Sequence, residues 1–97
     1  MYPYLVLPIV KGRLGISTEA RDGYLTSIIQ GVVDELDYQF GIELNEARFD
    51  HVMFVADYAE YRYSNRDTPR NQNGRGEMPR HLQWRLHNLV VDNDVQP

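Results

Sequence analysis

Ninety-seven residues with a net charge of −4, 42% apolar and 25% charged side chains set the size and class of one modest globular domain, residues 1–97. Cysteine is absent, which excludes disulfides and thiolate metal sites. No apolar run approaches the ~20 residues of a membrane span, and the short apolar run after Met1 lacks a preceding basic region, so neither a membrane anchor nor a signal peptide is expected.

The charge is unevenly spread. Residues 1–61 hold 4 Lys and Arg against 10 Asp and Glu, whereas residues 62–97 hold 6 Arg against 4 acidic residues. A locally basic segment on an acidic body points to a local anionic partner rather than to bulk nucleic-acid binding.

In chain order, residues 1–7 are apolar with Pro3 and two Tyr and read as an extended lead-in. Pro8 suits a first helical position, and Gly15 a helix stop, so a short helix is expected over about 8–14. Gly12 within it costs about 1 kcal/mol relative to Ala, which a close packing contact would offset. A second helix is expected over 18–40, capped by Ser17 or Thr18 and stopped by Gly41. Its stripe is Leu25, Ile28, Ile29, Val32, Val33, Leu36 and Phe40. Gly31 beside that stripe marks either a close helix approach or a tolerated surface position. A third helix over 45–65, capped by Asn45, completes a long antiparallel helical hairpin.

That third helix, free of Pro and Gly, organises the rest. Phe49, Val52, Met53, Ala56, Ala59 and Tyr63 recur at helical spacing and form one face. Phe54, Tyr58 and Tyr61 form a second, aromatic face. Two faces mean a helix central to its own bundle, or central and also adhesive toward a partner. Residues 66–78 follow as an expected mobile loop; from Arg66 to Glu77 the segment has no aliphatic or aromatic side chain. The last helix, over 79–91 behind Pro79, buries Leu82, Leu86, Leu89 and Val90. Trp84 falls opposite, near Arg80, His87 and Val91, where it is either an interface residue or covered by another segment. Residues 92–97 read as a frayed tail. The fold expectation is all-α, a bundle of about four helices.

Catalytic chemistry finds little footing. Glu46, Asp50 and His51 gather at one helix start, but His51 lies about 100° round from the acidic pair, so no metal site is expected. His81 and His87 do not converge, and no P-loop, GxGxxG, GxSxG or HExxH occurs. No cofactor is expected, and the chain reads as a non-enzyme. A small helical DNA-binding or regulatory module is the alternative; its hairpin helices are long and acidic for a recognition pair. An interaction subunit of an enzyme complex is a third reading.

The ordered motifs reach further. Lys11-Gly12-Arg13-Leu14-Gly15-Ile16, then Asp22 with Leu25, Ile28 and Ile29, then Tyr58 to Tyr63 followed by Asn65-Arg66, then Met78-Pro79 with Leu82, Leu86 and Leu89, run in sequence over residues 9–91. This pattern resembles the small head–tail connector (adaptor, or head-completion) proteins of long-tailed bacteriophages and prophages. The resemblance implies an all-α subunit that assembles as a ring, commonly twelve-fold, beneath the portal protein. Made in the bacterial cytoplasm and placed at the head–tail interface of the virion, the ring extends the DNA channel and docks the next connector or tail protein. DNA passes through it without sequence specificity. By position, Lys11, Leu14, Ile16, Leu25, Ile28, Ile29, Leu82 and Leu86 carry over as core, Tyr58, Tyr61 and Tyr63 as the aromatic helix, and Pro79 as the last helix start. We further expect Phe54, Tyr58, Tyr61 and Trp84 to form subunit contacts. From charge alone, Arg66, Arg70 and Arg75 are expected to face the channel or the portal.

Overall fold

A computed structural model describes residues 1–65 and 78–95. Within them the chain is all-helical: α1 (Pro3–Leu14), α2 (Asp22–Phe40), α3 (Phe49–Ser64) and α4 (Arg80–Val95), with no strand among the described residues. Helix α3 is the centre. It packs against α1, α2 and α4, and α1 also packs on α2.

The first helix begins five residues earlier than its sequence pattern indicates. Pro3 rather than Pro8 occupies the opening turn, and Pro8 lies inside the helix. Proline there removes one backbone bond. Burial outweighs that loss: Val6 and Val10, one turn apart on either side of Pro8, are wholly buried, and Leu7, Ile9 and Leu14 pack partly against the same core. A Cβ added at Gly12 would meet nothing within 4 Å, so no close approach explains that glycine; the same holds at Gly31.

The two glycine stops work as expected. Gly15 and Gly41 take φ of 72° and 63°, left-handed conformations that glycine alone adopts without strain. Each closes its helix by back-bonding. The Gly41 N–H donates to the Asp37 carbonyl and the Ile42 N–H to the Leu36 carbonyl, both at 3.1 Å. Ile42 is thereby turned fully into the core.

Helix α2 starts at Asp22, not residue 18. No side-chain cap forms, and Ser17 and Thr18 lie ahead of the helix. Its start is held instead by Lys11, whose ammonium lies 2.7 Å from Asp22. Five of the seven stripe residues are buried; Ile28 is partly buried, and Phe40, in the last turn, is exposed. Between α2 and α3 the link is residues 41–48, longer than the roughly four-residue turn the pattern implies. Asn45 does not cap α3. Its side-chain oxygen accepts the Ala47 N–H at 2.8 Å and its carbonyl the Arg48 N–H at 3.0 Å, making a tight local turn.

Pro79 lies just before α4 and its carbonyl accepts the N–H groups of Leu82 and Gln83. Leu82, Leu86 and Leu89 are buried and Val90 is partly so. Met78, assigned to the loop from sequence, packs partly against the core. Helix α4 continues past residue 91, where fraying was expected.

Candidate assembly interface

The aromatic face of α3 belongs to the subunit's own core. Phe54 is 0% exposed and Tyr58 is 8% exposed, so neither offers a surface to a partner; Tyr61 is partly buried against the same cluster. This corrects the expectation of a subunit contact for Phe54 and Tyr58. The physical reason is the position of α3. Neighbours on several sides bury a broad arc including His51, Phe54, Val55, Ala56, Tyr58, Ala59 and Tyr63. The Phe54 and Tyr58 rings tilt together at 6.2 Å, and the Arg85 guanidinium of α4 covers the Phe54 ring at 5.5 Å. The residue left outside is Phe49, which spacing assigned to the core face; it is 74% exposed because it opens the helix.

Polar side chains clasp the helices around this arc. The Tyr58 hydroxyl donates to Glu35 at 2.8 Å, and Arg62 lies 3.8 Å from Glu35 and over the Tyr58 ring. Burial, reinforced by the Glu35 carboxylate, pushes the Tyr58 hydroxyl far above the ordinary phenol range, so it stays a donor. Asp57 is ion-paired on one oxygen with Arg13 of α1 and on the other with Arg85 of α4, while Arg13 also lies 3.4 Å from Glu60. Arg48 joins Asp50 at 2.7 Å and Asp92 at 2.6 Å, tying the start of α3 to the far end of α4. Apart from Arg48–Asp50 and the i, i+4 contact of Arg62 with the Tyr58 ring, each of these partnerships joins residues more than twenty positions apart and does not follow from sequence spacing.

The Glu46, Asp50 and His51 group is occupied with structural work. Glu46 accepts the Tyr2 N–H at 2.7 Å, and Asp50 pairs with Arg48. His51 is buried, and its Nδ1 accepts the Asn45 N–H at 3.0 Å. An accepting Nδ1 requires the neutral ring with its proton on Nε2. Burial holds the imidazole pKa below its usual value; Arg48 acts in the same direction, and Asp50 and Asp92 oppose it. A lowered folded pKa means that the unfolded chain binds more protons. The stability from this contact is therefore complete above about pH 6.5, the ordinary imidazole value, and is lost as pH falls through the lowered folded value. Urea unfolding at pH 7.5 and pH 5 is expected to show weaker folding at pH 5. His51→Gln, which keeps an acceptor and does not titrate, is expected to reduce that difference.

Trp84 is the aromatic side chain from the expected set that remains at the surface. It is 66% exposed and stacks on His87 one turn on, with ring centroids 6.0 Å apart. Arg80, Trp84, His87 and Val91 follow i, i+4, i+7, i+11 spacing and all are exposed, so they form the outer face of α4. Arg66, Arg70 and Arg75 lie outside the described residues. Sequence reasoning also missed Tyr38 on α2, at 85% the most exposed of the Phe, Tyr and Trp side chains among the described residues. Its signal was available: Tyr38 falls one turn after Asp34, on the polar side of the helix.

Comparison with known proteins finds no matching family model, no matching curated protein and no matching solved structure.

Proposed function

We propose that this chain is a structural subunit of virion assembly, a head–tail connector that forms a ring under the portal protein of a long-tailed phage or prophage. The ordered motifs over residues 9–91 motivate that reading. The observation that carries it is the outer face of α4. Leu82, Leu86 and Leu89 already fill the inner side of this helix, yet Trp84 stands out in water between Arg80 and His87. An indole on a helix whose own core contacts are complete supports docking to another protein surface.

The charge distribution supports a channel component over a DNA reader. Lys11, Arg13, Arg48, Arg62 and Arg85 are each paired with a carboxylate, which leaves little cationic surface among the described residues to grip phosphate. A wall past which DNA slides should not hold it. Negative-stain microscopy of the concentrated chain, alone and with portal protein, is expected to show rings or decorated portals. Monomers with no portal binding at any concentration would refute the proposal. A gel shift at low salt separates the alternative: the connector reading predicts no sequence-dependent complex.

A further inference from the structure

Helices α2 and α4 carry opposite charge and both pack on the central helix α3. Helix α2 has Asp22, Asp34, Glu35 and Asp37 and no Lys, Arg or His; α4 from residue 80 to residue 91 has Arg80, His81, Arg85 and His87 and no acidic residue. Each packs on α3, and α2 also packs on α1. Core-facing side chains fix their orientation: Leu25, Ile29, Val32 and Leu36 turn inward on α2, and Leu82, Leu86 and Leu89 on α4. Asp34 and Tyr38 are therefore outward on one helix, and Arg80 and Trp84 outward on the other, all four exposed. Two outer faces directed away from a shared core do not meet within one chain.

We infer that they meet between chains: the Arg80–Trp84–His87 face of α4 docks on the Asp34–Asp37–Tyr38 face of α2 in a second copy. This deepens the connector reading and rests on it. Three observations choose the occupant. The faces are complementary in charge, with Arg80 making no ion pair among the described residues. Each presents one large exposed aromatic, Trp84 at 66% and Tyr38 at 85%, and a pair of aromatics flanked by opposite charges is a common centre for a protein contact. Beside Asp34 and Asp37 the surface opens into a shallow groove of about 940 Å³, bounded also by Val33, Leu44, Arg48 and Asp92. Because the two faces differ, the contact is heterologous and repeats head to tail, which closes a ring or extends a filament.

The test uses the full chain, whose single tryptophan is Trp84. Light scattering over a concentration series is expected to show growth beyond the monomer, with a blue shift of tryptophan emission as the indole is covered. Trp84→Ala, Arg80→Glu and the pair Asp34→Lys/Asp37→Lys are each expected to weaken association by roughly tenfold or more while helicity is retained. Mixing Trp84→Ala with Asp34→Lys/Asp37→Lys gives the deciding result. Each variant keeps one good face, so the mixture is expected to form a 1:1 pair and stop there. Oligomers that ignore all three changes, or a wild type that remains monomeric, would overturn the inference. Rings on portal protein that survive these changes would do so as well while leaving the connector reading intact.

Discussion

Phe54→Ala is expected to lower folding stability by about 3–5 kcal/mol, the usual cost of emptying a buried aromatic site. Phe54 is fully buried on the central helix, touches the Tyr58 ring and lies beneath the Arg85 guanidinium, so its loss opens a hole between α3 and α4. A domain of this size has about 5–15 kcal/mol in total, and each kcal/mol shifts its melting temperature by roughly 4–8 °C. The melting temperature should therefore fall by roughly 12 °C or more, read by circular dichroism. Trp84→Ala, at an exposed position, should stay within about 0.5 kcal/mol of wild type. The opposite ranking, a tolerant Phe54 and a structural Trp84, would return Phe54 to the surface and contradict the packing described for α3.

The second large effect is expected at Asp57. Its carboxylate, 16% exposed, is shared by Arg13 of α1 and Arg85 of α4, so one side chain on α3 joins three helices. Removing it leaves Arg85 without this partner and Arg13, among the described residues, with Glu60. Exposed ion pairs contribute ~0–1 kcal/mol, whereas breaking a buried pair costs ~3–5 kcal/mol. An intermediate burial places Asp57→Ala at about 2 kcal/mol of lost stability in urea unfolding. If stranded charge is the cause, adding Arg85→Ala to Asp57→Ala should recover part of the loss. A double variant as unstable as the sum of the two singles would instead mean that the two groups do not interact.

What the sequence made legible follows from where one signal was unopposed. The α2 stripe and the glycine stops at Gly15 and Gly41 rest on local periodicity and on backbone conformation that glycine alone adopts freely; the stops appear as read, and so does the stripe except for exposed Phe40 and half-buried Ile28. The start of α1 was misread because Pro8 looks like an opening residue; only tertiary burial of Val6 and Val10 shows that the helix runs through it. Asn45 and Ser17 were reasonable caps by type, yet Asn45 folds into its own turn and the start of α2 is held by a charge from α1. The two faces of α3 were both visible as spacing. Which of them meets water depends on how many neighbours α3 has, and no pattern along one helix contains that number. Trp84 was legible because its helix has a single buried stripe and the indole falls opposite it. Tyr38 falls on the polar side of α2, where a single tyrosine is ordinary surface and by itself singles out no interface. Asp57 gave no sequence signal, since its partners come from helices at opposite ends of the chain.

The proposed role places this subunit beside copies of itself on a portal. Sedimentation velocity of the chain mixed with portal protein tests it most directly. The account predicts that many copies move with the portal boundary and that Trp84→Ala leaves most of them behind as folded monomer. A chain that sediments alone at every concentration, with the portal boundary unchanged, would contradict it.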